Sequence, residues 1–305
     1  MPAIPDDDAW AATEFLAAEW GDARRTQRLV ELATVFAHRP GASLPEACGN
    51  RAMLKAAYRF FDHEAVAPQA ILGSHVVATS DRLATIPRVL AVQDTTEVDW
   101  TAHPATTGLG PLATPTHQGL HVHTTLALTP ERLPLGLLAQ QVWARDPAAV
   151  GKRTTRKHRP MADKESQRWL TSVEAVCEAH ARCPQTHLVG IGDREADVYD
   201  LFLQERPSGV ELLVRAAWNR RVDHPERSLW TKVAAPPVVA TLTVRCPGVV
   251  RRRPARRRWP CGGVWCCGGR PRTAPPRHCP VWRSGPSRPW RSSRRPAVTP
   301  SSGCC

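Results

Sequence analysis

After Arg245 this 305-residue chain contains no lysine, aspartate or glutamate, and no leucine, isoleucine, methionine, phenylalanine, tyrosine, asparagine or glutamine. A stretch without those side chains cannot bury a core, because its valines and tryptophans, broken up by eleven prolines, follow neither a helical nor a strand period. What remains in Cys246–Cys305 is 14 of the chain's arginines, seven of its ten cysteines and four of its eleven tryptophans. All of these residue types can be written in GC-rich codons. Residues 245–305 therefore read as a disordered Arg/Pro/Cys-rich tail, either the product of a changed reading frame near Val244-Arg245 or a genuine basic extension. Cys261, Cys266, Cys267 and Cys279 lack the C-x-x-C pairs of a zinc ribbon, and Cys304-Cys305 has no evident partner.

No apolar run approaches the roughly 20 residues that a membrane span needs. The first eight residues, Met1-Pro-Ala-Ile-Pro-Asp-Asp-Asp8, are acidic where a signal peptide is basic, so a cytoplasmic location without membrane contact is expected. The net charge of +13 suggests a nucleic-acid partner, but the tail supplies all of it. Residues 1–245 hold 27 basic against 28 acidic side chains and are close to neutral.

Residues 1–85 read as a small all-helical domain. Asp22 is placed to cap a helix carrying Leu29, Leu32, Ala33 and Phe36. Ser43-Leu-Pro-Glu46 fits a capping box, and Asn50 opens a helix over 51–61. The spacing there predicts a buried face of Leu54, Ala57, Tyr58 and Phe61, with Arg51, Lys55 and Arg59 one turn apart beside it. Such a basic stripe is either a solvated charged face or a surface that lies on DNA. Arg24, Arg25 and Arg28 on the preceding helix add positive charge and favour DNA.

Beyond Ala84 the period changes to that of strands. Val89–Val92 ends in Asp94, residues 119–128 alternate, and Pro134–Trp143 follows a short turn at Thr129-Pro-Glu-Arg132. A basic loop with Lys152, Arg153, Arg156, Lys157 and Arg159 precedes a helix whose Trp169, Leu170, Val173, Val176 and Cys177 share a face. An apolar run then ends in Asp193, a helix follows at about 196–204, and Val210–Arg215 is a last strand. Three antiparallel strands followed by helix, strand, helix, strand give an α/β fold, a mixed sheet with flanking helices.

Asp94 and Asp193 carry the chemistry. Carboxylates delivered by neighbouring strands supply the hard oxygen ligands that Mg²⁺, or Mn²⁺ in its place, requires, and leave open positions for phosphate and water. Either aspartate alone could be only a turn residue or a helix cap, but Asp-Thr-Thr and Asp-Arg-Glu-Ala-Asp together, with the strand order between them, point to the metal site. Glu195 and Asp197 read as caps or charges at the start of the next helix. His121 and His123, on one face of one strand, suit packing and hydrogen bonding better than zinc.

Gln93-Asp-Thr-Thr96, Gly192-Asp-Arg-Glu-Ala-Asp197, Trp20-Gly-Asp-Ala-Arg-Arg-Thr-Gln-Arg-Leu29 and Ala57-Tyr-Arg-Phe-Phe61 together resemble the cut-and-paste DDE transposases of bacterial insertion sequences, of the Tn-five type (the insertion-sequence-four group). The resemblance covers about residues 10–244. It implies a transposon-end DNA-binding domain over 1–85 and a ribonuclease-H-like catalytic core over 86–244. Asp94 and Asp193 match its first two metal-binding carboxylates, and Arg215 matches a phosphate-contacting arginine; the lysine expected two residues later is Ala217. The family's third carboxylate lies in a Tyr-x-x-Arg-x-x-x-Glu helix, and residues 246–305 contain neither Tyr nor Glu.

The resemblance thus implies a DNA partner, the terminal inverted repeats, and a core cut short and defective in strand cleavage and transfer. Two other functions remain open: a DNA-binding inhibitor of intact transposase, acting as a dimer or in mixed complexes, and a general nuclease drawing a third acid from Glu97, Asp99 or Glu165.

Overall fold

The computed structural model describes residues 9–18, 20–114, 116–149, 165–223, 225 and 227–235, together with the backbone of strands at 240–246, 255–261 and 281–283. The basic loop residues Lys152 to Arg159 lie outside the described residues. Of the 245–305 tail, only the backbone of those strands is described.

Five helices come first: α1 (Ala9–Phe15), α2 (Ala23–His38), α3 (Leu44–Cys48), α4 (Arg51–Phe61) and α5 (Pro68–Leu83). The caps read from sequence start them. Asp22 Oδ1 accepts the Arg24 N–H at 2.9 Å, and Asn50 Oδ1 accepts the Met53 N–H at 2.9 Å. At α3 the Glu46 carboxylate accepts both the N–H and the hydroxyl of Ser43, at 2.9 and 2.7 Å. Gly49, at φ +68°, takes the left-handed conformation that ends α3 and lets α4 begin two residues later. Removing the cap in Asn50→Ala leaves a first-turn N–H without its acceptor, and a loss of about 1 kcal/mol in chemical denaturation is the expected result.

Leu29, Leu32, Cys48, Ala57, Phe60 and Val66 form the core of this layer, with Trp20 edge-on to Phe60 at 5.6 Å. The face expected for α4 is corrected by this packing. Phe60 is buried, whereas Tyr58 is 55% and Phe61 48% exposed. The run Leu54–Phe61 contains two overlapping apolar stripes, and the stripe that meets Trp20 and α2 is the one through Ala57 and Phe60. Phe61 stacks at the surface on Phe36, 6.3 Å away.

The second layer is a mixed sheet of β1 (Arg88–Asp99), β2 (Gly110–Pro111), β3 (Gln118–Leu128), β4 (Pro134–Trp143), β5 (His187–Gly192) and β6 (Val210–Arg215). β1, β3 and β4 are antiparallel neighbours; β5 runs parallel to β1, and β6 parallel to β5. Omitting the two-residue β2, the spatial order is β4-β3-β1-β5-β6, with β9 (Val281–Arg283) paired antiparallel beyond β6. A separate hairpin pairs β7 (Ala240–Cys246) with β8 (Ala255–Cys261). The crossover β4→β5 carries α6 (Gln167–Arg182), and β5→β6 carries a 3₁₀ turn (Arg194–Ala196) and α7 (Tyr199–Leu203); α8 (Leu229–Ala234) follows β6. This is the mixed sheet with flanking helices expected from the sequence.

One face of the sheet is covered by α5, α6 and α7. Val89, Ala91, Ala127, Leu138, Leu188 and Val210 pack there against Leu83, Val176 and Ala179, and Leu212 and Val214 pack against Trp169, Val173 and Leu201. Helix α5 also ties the helical layer to the sheet. Glu14 of α1 pairs with His75 and Arg82 of α5, while Arg82 Nε and His75 Nε2 reach Leu135 O and the Leu137 N–H of β4 at 2.6 and 2.7 Å.

The extent of β1 differs from expectation. It does not end at Asp94 but runs on through Thr95-Thr-Glu-Val-Asp99, because β3 offers a continuous antiparallel partner as far as Asp99↔Gly119. Pairing with β5, by contrast, stops at Val92↔Ile191.

Candidate nucleic-acid interface and carboxylate pair

The register of the sheet brings the expected site residues into one row. Continuing the β1–β5 pairing two residues past Val92↔Ile191 sets Asp94 opposite Asp193. Continuing β5–β6 one residue past Gly192↔Val214 sets Asp193 opposite Arg215. On the other side Asp94 pairs with Thr124, and Thr124 with Gln140. Neighbouring strands lie about 4.8 Å apart, so Asp94 on β1, Asp193 just past the end of β5 and Arg215 at the end of β6 line up across three parallel strands.

Alternation fixes the face. Val89, Ala91 and Gln93 are buried under the helices, so Asp94 points to the opposite side, and Leu188, Gly190 and Gly192 set the same rule for Asp193. Both aspartates are exposed. Asp94 Oδ1 accepts its neighbour's N–H, Thr95, at 2.8 Å, and Asp193 Oδ1 accepts the Glu195 N–H at 2.7 Å. Each Oδ2 accepts no hydrogen bond among the described residues. Asp193 is therefore a cap for the 3₁₀ turn and keeps one oxygen available. Gly192 makes that turn feasible: a Cβ there would lie 2.5 Å from the Cβ of Ala196 and 3.2 Å from the Trp169 ring.

A Mg²⁺ ion commonly uses one or two protein carboxylates and completes its shell with water and phosphate oxygens. The pair Asp94 and Asp193 fits that donor set. No cluster of three metal-binding side chains occurs among the described residues. The candidates for a third acid are engaged elsewhere: Glu97 accepts the Ala113 N–H at 2.9 Å, Asp99 accepts from Thr101 and pairs with His117, and Glu165 binds Arg145 at 2.6 Å. Glu97 and Asp99 also lie on the face of β1 away from Asp94.

Of the two acids after Asp193, Glu195 stands in the first turn of the 3₁₀ helix, as expected, whereas Asp197 does not charge a helix start. Asp197, with its side chain only 2% exposed, forms an ion pair with Arg220 and accepts the N–H groups of Ala217 and Trp218 at 2.7 and 3.1 Å. It clamps the loop after β6, just beyond Arg215. Glu195 also pairs with Arg168 at 2.8 Å. The histidines of β3 are packing residues: His121 stacks on Trp143, and His123 is fully buried, edge-on to Trp169 at 4.6 Å.

The basic residues of the helical layer divide into two groups. Arg24 pairs with Asp22 at 3.1 Å, Arg28 with Glu31 at 2.6 Å, and Arg25 donates to Trp20 O at 2.8 Å and contacts His63. Arg51, Lys55 and Arg59 are exposed on α4 and have no ion-pair or side-chain hydrogen-bond partner among the described residues. With exposed Tyr58 they form one outer face of α4, opposite the face that Ala57 and Phe60 bury.

Taken together, the molecule is a mixed α/β protein: a sheet with helices on one face, preceded by a helical layer that presents a free basic surface. Residues 7–66, spanning α1 to α4, match the family model described as Transposase DNA-binding. That match supports a transposase-family DNA-binding role for the helical layer. No helix among the described residues is long and apolar enough to cross a membrane.

Proposed function

We propose that this chain is a DDE-type transposase relative of the insertion-sequence-four group that binds transposon-end DNA and is defective in strand cleavage. In this reading residues 1–85 grip the terminal inverted repeats, and residues 86–244 form the remnant of the catalytic core. The observation that carries it is the free face of Arg51, Lys55, Tyr58 and Arg59, lying within the segment similar to transposase DNA-binding domains. Phosphate contacts from such a face fix position on the duplex without reading bases. Arg24 and Arg28, paired at the surface of α2, lie in the same segment and exchange their carboxylate partners for phosphate. Arg25 shapes the fold through Trp20 and His63.

In the core, Asp94 and Asp193 would hold Mg²⁺ or Mn²⁺, and Arg215, next in the row, would meet the phosphate of the bound strand. The cation, when bound, neutralises phosphate charge and lowers the pKa of a coordinated water. With two carboxylates and no third acid beside them among the described residues, the site holds DNA phosphate better than it cuts it. This observation favours the inhibitor role, in which the protein occupies transposon ends alone, as a dimer, or in mixed complexes with intact transposase in the cytoplasm. The break in composition near Val244 supports a changed reading frame as the origin of the incomplete core.

The test is a nicking assay on terminal-repeat DNA with Mg²⁺ and with Mn²⁺. Binding without nicking is expected. Nicking that disappears in Asp94→Asn would show a complete active site and defeat the inhibitor reading.

A further inference from the structure

Register aligns Asp94 with Asp193, but no sheet pairing ties the two positions to each other. The β1–β5 ladder ends at Val92↔Ile191, two residues short of the carboxylates. Beyond that point β1 stays with β3, and the chain after Gly192 leaves the sheet for the 3₁₀ turn. A side chain that bridges the two ends would hold them together.

Arg168, in the first turn of α6, is placed to do so. Its Nε donates to Thr95 Oγ1 at 3.0 Å, one Nη to Glu195 Oε2 at 2.8 Å, and the other to the Glu165 carbonyl at 2.7 Å. Thr95 follows Asp94 directly. Glu195 is the residue whose N–H the Asp193 carboxylate accepts. The guanidinium lies 5.7 Å from the Trp143 ring centre and 5.6 Å from that of Trp169, with its side chain 11% exposed. An arginine fork fixed by aromatic rings and three hydrogen bonds has one geometry, which a lysine ammonium does not reproduce.

The network continues one step further. Thr95 Oγ1, which accepts from Arg168, lies 2.9 Å from His123 Nδ1 and can donate its own proton there. Thr95 points to the helix-covered face of β1, so its hydroxyl and the guanidinium behind it cannot ligate a cation held by Asp94 and Asp193 on the other face.

We infer that Arg168 is a positioning residue, which sets the separation of Asp94 and Asp193 through Thr95 and Glu195 from behind the sheet. This inference rests on the cation reading given above. Groups that orient metal ligands without touching the metal typically account for 10–100-fold in affinity.

Two measurements on the full chain test it. The first is Mn²⁺ binding followed by electron paramagnetic resonance. Thr95→Val, which removes the hydroxyl but keeps the shape, is expected to weaken Mn²⁺ binding by about tenfold, while Thr95→Ser, which keeps the hydroxyl, restores wild-type affinity. Equal affinities in wild type and Thr95→Val overturn the inference.

The second needs no metal. In the double variant Asp94→Cys/Asp193→Cys, the rate of disulfide closure reports the separation of the two positions, and the linked peptides are quantified by mass spectrometry. Adding Thr95→Val is expected to slow closure several-fold, again with rescue by Thr95→Ser; unchanged closure contradicts the positioning role. If wild type shows no Asp94-dependent Mn²⁺ binding but closure depends on Thr95, the cation reading falls and the positioning role stands.

Discussion

Asp197→Ala is expected to destabilise the protein by about 3–5 kcal/mol, the cost of breaking a buried ion pair by removing one partner. The carboxylate is almost fully enclosed and serves three donors at once: Arg220 and the N–H groups of Ala217 and Trp218. Its loss leaves two backbone donors without their acceptor and a guanidinium whose pKa burial already lowers. The contact of Arg220 with the Phe202 ring at 4.7 Å persists but cannot replace an anion. Equilibrium denaturation in urea measures the loss. A change below about 1 kcal/mol, the size of an exposed pair, would mean that the clamp is not formed. Asp197→Asn keeps one acceptor oxygen for the backbone donors and should fall between wild type and alanine.

The second large effect is a dependence of stability on pH that originates at His123. Burial, reinforced by the charge of Arg168, pushes its pKa from 6.5 down to about 4. In the unfolded chain the imidazole takes a proton near pH 6.5, whereas in the folded chain it resists until about pH 4. The unfolded state therefore binds more protons in that window. The stabilisation is complete above pH 6.5 and is lost as pH falls toward 4, by roughly 3 kcal/mol in total and about 2 kcal/mol at pH 5. Comparing unfolding free energies at pH 7 and pH 5 for wild type and His123→Phe isolates this effect, because phenylalanine does not titrate. Equal pH dependence in the two proteins would place the imidazole in contact with solvent.

These two sites show where the sequence could be read and where it could not. The ends of α4, β4 and β6 follow from an Asn cap and from strand alternation, both of which are local. Asp94 and Asp193 were recognisable because apolar strands deliver them, and their alignment with Arg215 then follows from register. The buried side of α4 was not legible, since Leu54–Phe61 supports two apolar stripes and only contact with Trp20 and α2 selects one. Likewise, nothing local distinguishes Asp197, clamping a loop twenty residues on, from an acid at a helix start. The role of Arg168 depends on Thr95, 73 positions earlier, and on Glu195, 27 later. The tryptophans at 143 and 169 were its only local trace.

The most direct test of the central claim is the salt dependence of binding to labelled terminal-repeat DNA, compared between wild type and Arg51→Ala/Lys55→Ala/Arg59→Ala. Each lost phosphate contact lowers the slope of log K against log salt by about 0.9, so the triple variant should lose close to 3 units of slope, with a weakening that is largest at low salt. The arginine-rich tail is the same in both proteins and cancels in the comparison. If both proteins bind with the same affinity and the same slope, α4 is not the DNA-binding face and the reading of the helical layer is wrong.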